Sequence, residues 1–126
     1  MAFFLEKQQT GATPQVLIDE AKGYMKIKGE SFHEDITTFY QDISEWLDRY
    51  LSSNFESLTF DCELQYFNSS TSKVLYNMLA NMNRHVCEGK KIVVNWISDA
   101  DNEIIIECGE DFQSDLEDLT FNMVMK

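Results

Sequence analysis

Leu64-Gln65-Tyr66-Phe67-Asn68-Ser69-Ser70-Thr71-Ser72-Lys73-Val74-Leu75-Tyr76-Asn77-Met78-Leu79 joins two periodicities, and the join decides the fold. Its first half ends a buried strand that runs from Glu56 to Phe67, with Leu58 to Phe67 the apolar part. In its second half Val74, Leu75, Met78, Leu79, Met82 and Val86 recur at helical spacing. That helix runs to Glu88, and Gly89 is placed as its C-terminal stop. Between strand and helix lies Asn68-Ser69-Ser70-Thr71-Ser72, a hydroxyl cluster where the helix must begin. A helix N-terminus presents unpaired amide donors and a partial positive charge, so a phosphoryl group placed there is stabilised. Asn and Ser are also ordinary N-caps. Spacing alone therefore leaves open both a phosphorylation switch and a plain cap.

The flanking segments repeat the pattern. Val16-Leu17-Ile18-Asp19 and Tyr24-Met25-Lys26-Ile27-Lys28 flank Glu20-Ala21-Lys22-Gly23, and Met25 and Ile27 alternate with Lys26 and Lys28, as in a hairpin with one wet face. Ser31 to Asp35 supply capping residues for a helix whose apolar stripe is Ile36, Phe39, Tyr40, Ile43, Trp46, Leu47, Tyr50 and Leu51, with Asp42, Glu45, Asp48 and Arg49 away from it. Downstream of Gly89, Ile92-Val93-Val94-Asn95-Trp96-Ile97 reads as a short central strand. Strand, helix and strand in succession predict a right-handed crossover between parallel strands. Asn102 to Phe112 admits two readings: Ile104-Ile105-Ile106 favours a strand by propensity, whereas Ile105, Cys108 and Phe112 recur at helical spacing. Leu119 to Val124 reads as a closing strand. The expected architecture is α/β, a small mixed sheet packed by two long helices and a shorter acidic one, with residues 1–126 as a single domain.

Composition narrows function. One proline, no Gly/Ser-rich linker and no repeat argue for one domain in 126 residues. The formal charge of −12 and the lack of a Lys/Arg stripe disfavour nucleic acid and anionic membranes. A basic protein patch would be attracted instead. Asp99, Asp101, Glu103, Glu107, Glu110, Asp111, Asp115, Glu117 and Asp118 crowd a stretch from Ile92 to Met125 that holds no Lys or Arg. That stretch is either a docking surface for a basic partner or a solvated helix face. Phe3-Phe4-Leu5 is too short for a signal core, and no apolar run approaches a membrane span of roughly 20 residues; the expectation is a soluble, cytosolic protein.

Catalytic and metal signatures are weak. Cys62, Cys87 and Cys108 fit no zinc spacing and read as buried free thiols of a reducing compartment. His33 and His85 fall in no nucleophile or metal signature, and the glycines form no phosphate-binding loop. Counted from Asp99, acids occupy the first, third, fifth, ninth and twelfth places of an EF-hand-like loop, with Ile106 at the apolar eighth. Its sixth place, which needs glycine for the sharp turn, is Ile104. The expectation is no metal, no cofactor and no catalytic site.

Tyr66-Phe67-Asn68-Ser69-Ser70 resembles the Tyr-Leu-Asn-Thr/Ser-Ser signature of the SiaC-type regulatory phosphoproteins, which are related in fold to STAS-type anti-anti-sigma factors. Ala12-Thr13-Pro14, Gly29-Glu30-Ser31-Phe32, Asn95-Trp96, Asp99 to Glu103 and Gly109-Glu110-Asp111-Phe112 are similar to that family in order and spacing, so the likeness spans nearly the whole chain. The resemblance implies a STAS-like domain, a helix over Asn102 to Phe112, and Ser69 as phosphoacceptor, where the best-known member carries Thr. It implies Tyr66, Asn68, Ser70 and Thr71 as the phosphosite turn, with Asn68 shaping it and Ser70 and Thr71 capping it or donating to the phosphate. As partners it implies a Ser/Thr protein kinase, a PP2C-like phosphatase, and a diguanylate cyclase that the unmodified form binds and activates, linking the switch to cyclic di-GMP and biofilm behaviour. An anti-anti-sigma protein acting on an anti-sigma kinase would use the same kind of turn. A small enzyme or a calcium module is the reading from another class.

The acidic loop generates the first test. Calorimetric titration with calcium should give no saturable heat, because Ile104 stands where the loop needs glycine. Micromolar binding that disappears in Glu110→Gln would contradict this.

Overall fold

Alternation and helical spacing resolve into six strands and three α-helices, with one 3-10 turn at Glu20–Lys22, in a computed structural model that describes residues 2–126. In chain order they are β1 (Phe4–Lys7), β2 (Gln15–Asp19), β3 (Tyr24–Ser31), α1 (Ile36–Leu51), β4 (Leu58–Phe67), α2 (Ser69–Cys87), β5 (Ile92–Ser98), α3 (Glu103–Asp115) and β6 (Thr120–Met125). The strands form one sheet in sequence order, β1-β2-β3-β4-β5-β6. β1, β2 and β3 pair antiparallel, while β3, β4, β5 and β6 pair parallel. The mixed α/β sheet, both long helices and the shorter acidic helix are as the sequence predicts.

Gly23 closes the β2–β3 turn in the left-handed region, φ 59°, and a Cβ there would run into the Ser57 carbonyl. From that turn the central strands alternate, β4 as far as Leu64. Val16, Ile18, Met25, Ile27, Leu58, Phe60, Cys62, Leu64, Ile92, Val94 and Trp96 are buried on one face. The three helices cover that face and share a single core with it, through Trp46 and Tyr40 of α1, Leu75, Met78 and Leu79 of α2, and Ile105 and Phe112 of α3. The other face carries Tyr24, Lys26, Asp61, Asn95 and Asn122 and is only part-covered. There Tyr24 Oη donates to Asp61 at 2.8 Å, Asn95 Nδ2 donates to Asp61 at 2.8 Å, and Asn122 Nδ2 donates to Asn95 Oδ1 at 3.0 Å. Because the crossovers leave all helices on one side, the sheet has no point where successive connections part to opposite faces, the usual crevice for a nucleotide or cofactor.

Three expectations need correction or addition, and the segment that admitted two readings takes the helical one that the resemblance implies. β1 was not anticipated from Phe3-Phe4-Leu5; Phe3 stacks on Trp46 with ring centroids 6.2 Å apart, which adds the strand to the sheet edge. Asp35 occupies the N-cap position of α1, yet its side chain caps nothing; its amide donates to His33 Nδ1 at 3.0 Å. Asn102 to Phe112 is helical, with Asn102 Oδ1 accepting from the Ile105 amide, so the strand propensity of three isoleucines yields to the cap and to burial of Ile105 and Phe112. Of the cysteines, Cys62 is buried and Cys108 part-buried, but Cys87 is exposed and donates to Asp118 at 3.1 Å. That hydrogen bond raises the Cys87 thiol above its ordinary range, since it stabilises the protonated form.

Gly109 lets α3 lie against β5. A Cβ at this position would collide with the Trp96 indole and come within 2.9 Å of Met123 Cε, while Trp96 Nε1 donates to the Ile105 carbonyl at 2.9 Å. Gly109→Ala should therefore destabilise the fold by about 1–3 kcal/mol through overpacking, despite the better helix propensity of alanine. Urea unfolding with Trp96 fluorescence measures it; an unchanged midpoint would contradict the packing.

Candidate phosphorylation site

The join between β4 and α2 starts with a register slip. Gly29 pairs with Leu64, but Glu30 pairs with Tyr66, so Gln65 is an extra residue in β4. A bulge of one residue flips the faces that follow. Leu64 points into the core, Tyr66 points out and is 51% exposed, and Phe67 turns in to meet Trp96 edge-on at 6.1 Å. The bulge carbonyl, that of Gln65, accepts from Asn102 Nδ2 at 3.0 Å. Asn102 is also the N-cap of α3, so the starts of α2 and α3 are tied to one another through the end of β4.

Asn68 is the N-cap of α2, in extended conformation, and its Oδ1 accepts from the Thr71 amide at 2.9 Å. Its own amide donates to the Ser31 carbonyl at 3.1 Å. Thr71 Oγ donates to the same carbonyl at 3.0 Å and lies 2.9 Å from Ser31 Oγ, which lies 3.0 Å from Tyr40 Oη. Each hydroxyl has one proton. The Thr71 proton is spent on the Ser31 carbonyl, so Ser31 Oγ donates to Thr71 and Tyr40 donates to Ser31. Burial pushes the Tyr40 phenol far above its ordinary range, which keeps its proton in place. Ser31 and Thr71 are fully buried. The sequence treats Ser31 only as one of several capping residues; the alternation that puts it on the inward face of β3 was the available signal.

This network sorts the hydroxyls. Ser69 is the first helical residue and is exposed, as is Ser70 beside it. Their amides precede any intrahelical acceptor, so they face outward as donors. Thr71 belongs to the turn, but its hydroxyl points inward and is committed to Ser31; it cannot donate to a phosphate, contrary to the sequence expectation. Lys73, one turn beyond Ser69, is exposed. Tyr66 packs on Phe32 with centroids 5.8 Å apart and planes at 63°. Phe32 is a surface partner that the sequence pattern did not single out.

The other candidates lie apart. His85 Nδ1 is 2.9 Å from the Asn81 carbonyl on α2. Asp99, Asp101, Glu103, Glu107 and Glu110 are spread over a loop and a helix, and among the described residues no three carboxylate, thiol or imidazole groups converge to hold a metal. A depression of about 500 Å³ lined by Glu20, Lys22, Arg49, Tyr50 and Phe55 sits at the amino ends of β3 and β4, the opposite edge from Ser69. Among the described residues no helix is long and apolar enough to cross a membrane.

Known proteins share the sequence pattern and the fold. Residues 7–126 match the model of the SiaC family, described as regulatory phosphoproteins. A curated protein of Pseudomonas aeruginosa (strain UCBPP-PA14) is 26% identical over 106 residues, 84% of each chain. Apo-SiaC from Pseudomonas aeruginosa aligns over 97% of this chain and 98% of its own, at 22% identity and a TM-score of 0.87. The structure of the diguanylate cyclase SiaD in complex with its activator SiaC, from the same organism, aligns over 97% and 99% at 24% identity and a TM-score of 0.91.

The hydroxyl network predicts unequal costs along the turn. Thr71→Val keeps shape but leaves the Ser31 hydroxyl without its acceptor, and should lose about 1–3 kcal/mol. Ser70→Ala, at an exposed position, should stay within about 0.5 kcal/mol. Urea midpoints compare the two; equal, small losses would mean that the buried network holds nothing.

Proposed function

This chain belongs to the SiaC family of regulatory phosphoproteins, and on that premise we propose that it is a single-domain partner-switching protein with Ser69 as its phosphoacceptor. A Ser/Thr protein kinase modifies Ser69 and a PP2C-like phosphatase reverses it. The unmodified form binds and activates a diguanylate cyclase in the cytoplasm, so the switch sets cyclic di-GMP output and, through it, biofilm behaviour. The observation that carries the reading is the contrast on one turn: Ser69 is exposed at the first helical position while Thr71 is buried and committed.

The mechanism is local. A phosphoserine adds nearly two negative charges and three strong acceptors. At the start of α2 those oxygens gain the outward amides and the helix dipole, so modification need not disturb the fold. Phe32 and Tyr66 stand beside the site, and a hydrated dianion there must be stripped of water before an apolar partner surface can close over them. The kinase reads an accessible hydroxyl, the partner reads a dry one, and only one of them is served at a time.

Incubation with the cognate kinase should label wild type and leave Ser69→Ala unlabelled; equal labelling of both would move the site. Ser69→Asp and Ser69→Glu should keep a wild-type circular dichroism spectrum and lose part or all of cyclase binding, while Ser69→Ala retains it. Equal cyclase affinity of unmodified and enzymatically phosphorylated protein would leave Ser69 a helix cap and nothing more.

A further inference from the structure

The two outer strands of the sheet are built differently. β1 is four residues long and carries Glu6 and Lys7, which blunts it against a further strand. β6, Thr120-Phe121-Asn122-Met123-Val124-Met125, has no charge, proline or glycine, and it pairs with β5 along its whole length without a slip. Its outer side is therefore an unbroken row of backbone groups. The Lys126 amide donates to the Ser98 carbonyl at 2.9 Å, towards β5. Backbone groups alternate along a strand, so Asn122 and Val124 also face β5, while Phe121, Met123 and Met125 turn theirs to the free edge. The Phe121 carbonyl shows the consequence: Gln113 Nε2 reaches down from α3 and donates to it at 2.8 Å. A side-chain amide does there what the backbone amide of a further strand would do. Met123 and Met125 have no such cap among the described residues.

The Gln113 contact also fixes which side of α3 overlooks this edge. Glu103, Ile106 and Glu110 lie on the same helical stripe; both glutamates are exposed and Ile106 is half-buried. Neither glutamate is in an ion pair among the described residues, and no Lys or Arg occurs from Ile92 to Met125. A second copy of the chain is a poor occupant. The two-fold axis that joins two β6 strands antiparallel stands normal to the sheet, and it sets both α3 helices on one side with their glutamates facing. We infer that the free edge of β6 is a docking site for an extended segment of a partner protein with Lys or Arg at alternate positions, which adds to the six-stranded sheet as a further strand. Its backbone bonds to Met123 and Met125, and its cations stand beneath the α3 stripe. Its intervening side chains, uncharged and β-branched, lie by Asn122 and Val124 on the bare face. β5 separates this edge from the strand that leads to Ser69, and the inference does not rest on the functional reading above.

The test follows amide shifts of the whole chain by NMR during titration with a short peptide of alternating threonine and lysine, and with its threonine–glutamate counterpart. Shifts at Phe121, Met123 and Met125 from the lysine peptide alone, with slowed hydrogen exchange of the Met123 and Met125 amides, support the inference. Two variants separate backbone from charge. Met125→Pro removes an outward amide at a place where an edge strand tolerates proline, and Glu103→Gln with Glu110→Lys removes the acidic stripe. Each should weaken binding of the lysine peptide roughly tenfold, whereas Glu6→Gln on the opposite edge should bind as wild type. Circular dichroism checks the fold of each, and the charge variant decides if the proline variant does not fold. Shifts centred elsewhere, equal shifts from both peptides, no shift at about 1 mM peptide, or full binding by the charge variant would overturn the inference. Sedimentation showing wild type dimeric and Met125→Pro monomeric would overturn the choice of occupant.

Discussion

One carbonyl group organises the site. The Ser31 oxygen at the end of β3 accepts the Asn68 amide and the Thr71 hydroxyl, using both of its lone pairs. The Ser31 hydroxyl, fed by Tyr40, closes the second bond to Thr71. The first turn of α2 is thus fastened to β3 from inside, and the orientation of every hydroxyl on that turn follows. Thr71 is drawn in, Asn68 is held extended as the cap, and Ser69 and Ser70 are left in water. A fully satisfied buried network of this kind specifies one arrangement, because any alternative strands a buried polar group. The exposure of Ser69 is a consequence of what is buried two residues later.

Much of this was legible in the residues. The stripe from Ile36 to Leu51, the alternation of Met25 and Ile27 with two lysines, and the stop at Gly89 each depend on local spacing alone, and spacing is what a sequence displays. The register slip at Gln65 was not legible, because a bulge is set by pairing between strands. Strict alternation would have put Tyr66 inside with Leu64; the slip exchanges it for Phe67. β1 escaped notice because its support comes from Phe3 on Trp46, a contact across 43 residues of chain. Cys87 was misplaced for a similar reason: its spacing on α2 fits a core stripe, but Asp118 from the chain beyond α3 meets it at the surface. The proposed phosphosite came from resemblance. Spacing offered a cap and a switch equally, and only the hydroxyl geometry separates Ser69 from Thr71.

The fold also bears on what the protein does not offer. With all three helices on one face, the carboxyl edge is a continuous rim and not a cleft, and the site is a surface feature suited to macromolecular contact. A modified side chain on such a rim gains the helix N-terminus as a partner without reorganising the core. Under the proposed switch, phosphorylation there costs little stability and acts on association. Membership of a family of regulatory phosphoproteins fits this economy.

The central claim is that the Ser31 clamp withholds the Thr71 hydroxyl and leaves Ser69 in water for a kinase. Phosphosite mapping by mass spectrometry, on protein purified from its native cells with phosphatases inhibited, tests it most directly. The account predicts phosphate on Ser69 and none on Thr71. Phosphate on Thr71, which could be reached only by breaking its bonds to Ser31, or a modified Ser72 with Ser69 bare, would contradict it.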